Sequence, residues 1–270
     1  VSVLTFAGAV TPGGAAQFGF LNVATAVVMV AVAIALSLWQ NLDLERDIFV
    51  ASLRAFVQLM AIGYVIDFIF GTKSLALVLL MIAGMVAFAG FTSGRRLRGL
   101  PYHYWIATGA IGLASTLTLV LMVALGIIST EARFLIPIGG MVVGNSMNVA
   151  SVTGVRLLED SSSQRAVVEA ALALGAAPRQ AAHPVLRRAV RLAMIPIIDN
   201  TKTMGIVFLP GAMTGMIIAG ANPLDAVRLQ VVIMYMLLTA VAVTATLIGL
   251  AVVGQLFTEH QQLRRIERAA

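Results

Sequence analysis

Apolar residues in this chain gather into seven long blocks separated by brief polar interruptions. The blocks run from about Phe20 to Trp39, Ile48 to Phe70, Leu75 to Phe91, Tyr104 to Ile128, Phe134 to just past Ala150, Ile195 to Gly220 and Val227 to Leu256. A helix crosses the hydrocarbon of a bilayer with about 20 mainly apolar residues, so each block predicts a spanning helix. The expected fold is an all-α membrane protein: a polytopic bundle of seven transmembrane helices in one domain over residues 1–270.

Composition agrees and excludes other classes. The chain is 60% hydrophobic and 11% charged, with a mean hydropathy of +0.97, where a soluble domain has about 25% charged residues. A soluble globular domain, a disordered chain and a coiled coil are ruled out. No room remains for a sizeable catalytic domain outside the membrane, and the chain is not expected to be an enzyme. Cys is absent, which excludes a disulfide framework, a thiolate metal site and a redox pair. The eighteen or so residues before Phe20 carry no basic region, so they do not predict a cleavable signal peptide.

The net charge of +6 is informative through its distribution, and no nucleic-acid partner is expected. Lys and Arg are retained on the cytoplasmic side of a membrane. One set of alternate loops carries Arg46, Arg95, Arg96, Arg98, Arg156, Arg165, Arg179, Arg187, Arg188, Arg191, Arg264, Arg265 and Arg268. The other set carries only Lys73, Arg133 and Arg228. Thirteen against three predicts an outside N-terminus, a cytoplasmic C-terminus and seven spans between them.

One connection is too long for a compact bundle, where most are a few residues. The segment at about 155–194 is polar, basic and patterned. Val167, Ala170, Ala171 and Leu174 recur at helical spacing, and Gly175 stands where a helix would end. Pro178 opens a second helix, with Ala182, Val185, Leu186 and Ala189 as its apolar stripe and Arg179, His183, Arg187 and Arg191 four apart on another face. Ser161 and Gln164 suit a capping box before the first helix, although a helix running on from the fifth span fits equally well. Two short amphipathic helices on the cytoplasmic side are therefore expected. They would lie on anionic lipid or dock a cytoplasmic partner.

No phosphate-binding loop is present, since Gly71-Thr72-Lys73-Ser74 lacks the required order. Any ATP hydrolysis must occur on another polypeptide.

Two sets of residues carry resemblances. Glu169-Ala170-Ala171-Leu172-Ala173-Leu174-Gly175 is similar to the Glu-Ala-Ala-x-x-x-Gly core of the coupling segment of ABC transporter permeases. Val185, Arg187 and Arg188 stand where that pattern has its Ile-x-Leu-Pro group, and Ile195-Pro196 comes later. Ile136–Met141, Gly144–Asn148, Ile198–Thr203 and Leu209–Gly215 resemble the signature blocks of the FetB/YbbM family of bacterial permeases, whose plant relatives are the aluminium-sensitivity permeases. The resemblance spans about Ala24 to Gly254. It implies a homodimeric seven-span permease in the bacterial inner (plasma) membrane, working with a separate ATP-binding subunit that holds ATP and Mg. It also implies iron export and resistance to peroxide stress, while a plant relative is linked to UDP-glucose. Glu169, Ala170, Ala171, Gly175, Pro178, Arg179 and Arg187 are the ATPase-coupling residues of this expectation.

Polar residues inside the spans mark a path or a gate, because they are costly in hydrocarbon. Arg54 and Gln58 share a face of the second span, and Asp67 lies near its outer edge. The fifth span holds Asn145 and Asn148, and Asp199, Asn200 and Lys202 open the sixth, with Thr201 and Thr203 beside them. Gly140 with Gly144, and Gly211 with Gly215, form small-x-x-x-small pairs suited to helix packing. Pro210 is expected to interrupt the sixth span. His103, His183 and His260 map to cytoplasmic loops, so a passing metal would meet oxygen ligands or the thioethers of Met141, Met147, Met204, Met213 or Met216. No metal-binding residue is assigned. An ion-coupled carrier switching on Asp67 or Asp199 and a non-transporting membrane scaffold are the alternative readings.

Overall fold

The computed structural model describes residues 20–72, 74–258 and 260–264. The segment before Phe20 and the basic residues Lys73, Arg265 and Arg268 lie outside the described residues. Nine helices occur among those described: α1 (Phe20–Gln40), α2 (Glu45–Thr72), α3 (Leu75–Arg96), α4 (His103–Ala124), α5 (Ala132–Ser163), α6 (Arg165–Ala173), α7 (Pro178–Thr203), α8 (Gly211–Ile218) and α9 (Pro223–Leu256). The protein is an all-α, multi-pass membrane protein.

Five helices are long and apolar enough to cross a bilayer: α2, α3, α4, α5 and α9. The described part of α1, Thr25–Gln40, is apolar but shorter. The block from Ile195 to Gly220 is interrupted, but the break begins upstream of the expected position at Pro210. The end of α7 supplies its first residues, residues 204–210 are irregular, and the eight-residue α8 follows. Gly205 causes the break with a φ of +80°, which only glycine adopts without strain. Pro210 stands outside the next helix as its N-cap.

The segment at 155–194 is also less separate than its polarity suggests. α5 runs unbroken to Ser163, so Ser161 lies inside it and donates its hydroxyl to the Leu157 carbonyl at 2.6 Å. No capping box forms there, because Gln164 closes α5 and starts α6 with a single intervening residue. The second helix of the expected pair is not short either: α7 has 26 residues. It tolerates Pro184 and Pro196, each of which removes one backbone bond, to the carbonyls of Gln180 and Leu192.

The helices form two compact units. In the first, with α1, α2, α8 and the opening turns of α9, the α1–α2 turn is tied by Ser37, whose hydroxyl donates to Glu45 Oε2 at 3.2 Å and accepts from the Leu44 N–H at 3.1 Å. The second holds α3 to α7 and the rest of α9. Its core joins Ile111 of α4, Val143, Ala150 and Leu157 of α5, Val168 of α6, Val185 and Ala189 of α7 and Ile248, Val252 and Leu256 of α9.

Glycines set the closest approaches in this second unit. A Cβ on Gly90 would collide with the side chain and backbone of Thr108, and one on Gly94 would stand 2.7 Å from Tyr104 Cδ1. Gly154 receives Leu97, and Gly249 receives Leu186. Hydroxyl pairs lie among these contacts: the Ser151 and Ser93 oxygens are 3.2 Å apart and the Thr244 and Ser146 oxygens 3.0 Å apart, while Ser151 and Thr244 donate to the Met147 and Ala240 carbonyls of their own helices.

Candidate functional site

The residues expected to couple the chain to a partner fall on α6, α7 and the turn between them. α6 ends in a Schellman motif: the Gly175 N–H bonds to the Leu172 carbonyl at 2.9 Å and the Ala176 N–H to the Ala171 carbonyl at 3.0 Å. That geometry needs the φ of +89° at Gly175. Pro178 then starts α7 at its first position, and the Ala177 N–H is satisfied by the Gln180 side chain at 3.1 Å. Both punctuation marks stand where the residue types dictate.

The inward face of α7 is Ala181, Ala182, Val185 and Ala189, all buried, with Leu186 half-buried. Its basic face of Arg179, His183, Arg187 and Arg191 is exposed. For α6 the expected stripe is turned. Val168 is buried and Ala171 and Leu172 are half-buried, whereas Val167, Ala170 and Leu174 point outward. Six of the nine residues of α6 are Ala or Val, so either face satisfies a 3.6-residue period and only packing chooses. Glu169 and Gly175 are exposed beside that outward apolar face.

Arg165 organises this corner, a role that its place in a charge count did not reveal. Its Nε pairs with Glu169 Oε1 at 2.7 Å, and a terminal nitrogen donates to the Leu263 carbonyl at 3.0 Å. An exposed pair at this spacing contributes only a few tenths of a kcal/mol, so its importance is in position. The carbonyl belongs to a C-terminal hairpin in which Phe257 and Leu263 pair and Thr258 N–H bonds to Gln262 O at 2.8 Å. Phe257 and Leu263 are both buried in the core. The hairpin and α6 enclose an open cleft of about 710 Å³ lined by Arg165, Glu169, Leu172, the Gly175–Ala177 turn and His260 to Leu263. A sequence pattern has little means of showing that residues 260–263 return here. On the other side, Asp160 at the end of α5 meets Arg188 of α7 at 3.7 Å.

The proposed path residues are placed separately. Asn145 is half-buried and donates to the Met141 carbonyl of its own helix at 2.8 Å, while Asn148 is exposed. Asp199 and Lys202 pair at 3.3 Å, both exposed, with Asn200 exposed between them. They close α7 rather than open a span, because α7 starts far upstream at Pro178. Among the described residues, no hydrogen bond or ion pair joins the two asparagines to Asp199 or Lys202. Arg54, Gln58 and Asp67 are exposed along α2. No three His, Asp or Glu side chains among the described residues converge to hold a metal ion.

Of the glycines singled out for packing, Gly140 makes an ordinary contact, with Met85 Sδ 3.9 Å from its Cβ position. Gly144, Gly211 and Gly215 have no neighbouring atom within 4 Å of that position among the described residues. The tight approaches are at Gly90, Gly94, Gly154 and Gly249 instead.

Known proteins are similar over nearly the whole described chain. The chain is 48% identical to "UPF0014 membrane protein STAR2" of Oryza sativa subsp. japonica over 85% of this chain and 80% of that protein. It is 40% identical to "Protein ALUMINUM SENSITIVE 3" of Arabidopsis thaliana, over 91% and 90%. A third relative, "Probable iron export permease protein FetB" of Escherichia coli (strain K12), is 31% identical over 90% and 93%. No solved structure matches. Residues 20–257 match the model of the "Uncharacterised protein family (UPF0014)", and the chain belongs to that family of membrane proteins.

Proposed function

We propose that this chain is the membrane-spanning permease subunit of an ABC transporter, a homodimer driven by separate subunits that bind ATP and Mg and exporting iron or a related metal. In this reading it occupies the bacterial inner (plasma) membrane with seven spans, the sixth discontinuous, the N-terminus outside and the C-terminus in the cytoplasm. The observation that carries the reading is the outward face of α6, where Val167 is 68% and Leu174 is 89% exposed beside the carboxylate of Glu169. An apolar face left bare on a short helix in a polar segment suits a docked partner. The partner is an ATPase because the chain lacks a phosphate loop and its Glu169–Gly175 run resembles a coupling motif. Iron is suggested by the family resemblance and by the name of the Escherichia coli relative, and a nucleotide sugar is the competing substrate.

The route from docking to gating is short. α7 has 26 residues without a break, a length of about 39 Å at 1.5 Å per residue. A push at Arg179 reaches Asp199, Asn200 and Lys202 along one continuous helix, across the bonds missing at Pro184 and Pro196, and such helix movements switch access. Asn145 and Asn148 on α5 complete the polar groups of the path, and passing metal would be held weakly by oxygen.

The test is co-purification of an ATP-binding subunit together with substrate-stimulated ATP turnover. Glu169→Lys places a like charge beside Arg165, and Gly175→Trp forces a side chain onto a φ of +89°. Each is expected to lower turnover several-fold while the permease still inserts. Undiminished turnover and co-purification in both variants removes the docking role. Flux driven by an imposed proton or sodium gradient without ATP identifies a carrier, and no flux with a bound protein identifies a scaffold.

A further inference from the structure

We infer that the turn between α3 and α4 is a binding site for the headgroup of an anionic phospholipid. Charge supplies the first reason. Arg95, Arg96 and Arg98 are exposed, none forms an ion pair among the described residues, and residues 74 to 130 contain no Asp or Glu. Three guanidinium groups therefore face outward with no carboxylate at ion-pair distance among the described residues.

Rigidity supplies the second. Leu97 and Leu100, interleaved with the arginines, are 0% and 3% exposed. Leu97 fills the space left by the missing side chain of Gly154, and its N–H bonds to the Gly94 carbonyl at 2.9 Å. His103 Nδ1 lies 2.9 Å from the Leu100 carbonyl. The Arg95 guanidinium lies 5.7 Å from the centre of the Phe91 ring, which stacks on Tyr104 at 5.4 Å, an arrangement that holds an arginine without neutralising it. The turn is thus an ordered platform.

Its surroundings choose the ligand. α3 and α4 both qualify as membrane spans, which puts their short connection at the membrane surface. Tyr102 and Trp105 beside the arginines are 72% and 77% exposed, and exposed Tyr and Trp favour the headgroup level. Arginine clusters next to a span attract anionic lipid. A free phosphate would use the charges alone; a phospholipid also covers the rings. This site does not depend on the transporter reading.

The chain has two tryptophans, so Trp39→Phe leaves Trp105 as the only reporter. This variant is reconstituted in phosphatidylcholine vesicles containing a minority of phosphatidylglycerol, with bromine on the acyl chains of one lipid at a time. Brominated phosphatidylglycerol should quench Trp105 beyond its share of the lipid. Each of Arg95→Gln, Arg96→Gln and Arg98→Gln should weaken that preference roughly fivefold, and the triple variant should abolish it. Arg228→Gln should leave it intact. The three single variants decide the matter if the triple variant does not fold. Quenching in proportion to lipid share, or a preference that survives all three substitutions, overturns the site. Loss of the preference to glycerol phosphate in the aqueous phase, at constant ionic strength, overturns the lipid as its ligand.

Discussion

Helices α2 and α5 are of similar length, 28 and 32 residues, yet they are built for different surroundings. Over its most apolar stretch α2 has a mean hydropathy of 1.8 against 1.3 for α5, but none of that stretch is buried in α2 and 56% is buried in α5. In water the order would be reversed. Lipid tails are as apolar as leucine, so no hydrophobic force sorts one membrane helix from another into the interior; small side chains and hydroxyls do so by allowing close contact and bonding. The buried residues of α5 include Gly139, Ser146, Ala150, Ser151, Thr153 and Gly154. On α2, Gly63 and Gly71 meet no neighbouring atom within 4 Å of a Cβ position.

The strongest way to break this comparison is a matched pair of substitutions. Gly154→Leu drives a side chain into Leu97 and should cost about 1–3 kcal/mol by overpacking, seen as a lower melting temperature in detergent. Gly63→Leu on α2 meets open space and should not lower it. Equal losses would mean that burial does not separate the two helices. A smaller effect is expected at the bond between the Thr244 and Ser146 hydroxyls. A double-mutant cycle with Thr244→Val and Ser146→Ala should give a coupling of about 0.6 kcal/mol, the usual size between membrane helices. Zero coupling would leave the hydroxyls as small residues and nothing more.

The smallest stability effect belongs to the exposed polar positions. Asn148→Ala and Asp199→Asn should each stay within about 0.5 kcal/mol of the parent, because Asn148 is exposed and Asp199 keeps only an exposed pair with Lys202. If these residues line a path, efflux of a metal such as iron falls in the same preparations. Normal transport in both variants removes the path from these residues, and poor accumulation assigns them to packing.

Much of the candidate site was legible because backbone chemistry is local. Gly175 and Pro178 mark the end of one helix and the start of the next whatever surrounds them, and Pro210 marks a break. The facing of α6 was not legible. Its Ala and Val residues fit two stripes, and contact with the core selects Val168 over Val167 and Leu174. The position of the break in the sixth block was not legible either: Pro210 marks an interruption, but hydropathy continues from Ile195 to Gly220 and the backbone already turns at Gly205. Arg165 was visible only as a charge, since its partner Leu263 lies 98 residues away.

Apolar block length, the clustering of arginine between apolar blocks, the absence of Cys and the Gly and Pro positions are properties of the sequence by itself. They determine a multi-pass helical membrane protein and a patterned polar segment, because hydrocarbon thickness and backbone sterics act on any chain. Tertiary structure alone decided which apolar helices are buried, which glycines are cradles, and that residues 260–263 lie against α6. Those outcomes depend on contacts between residues far apart in sequence, such as Leu97 with Gly154 and Leu186 with Gly249. Where every span is apolar, periodicity along one helix carries little information about its neighbour.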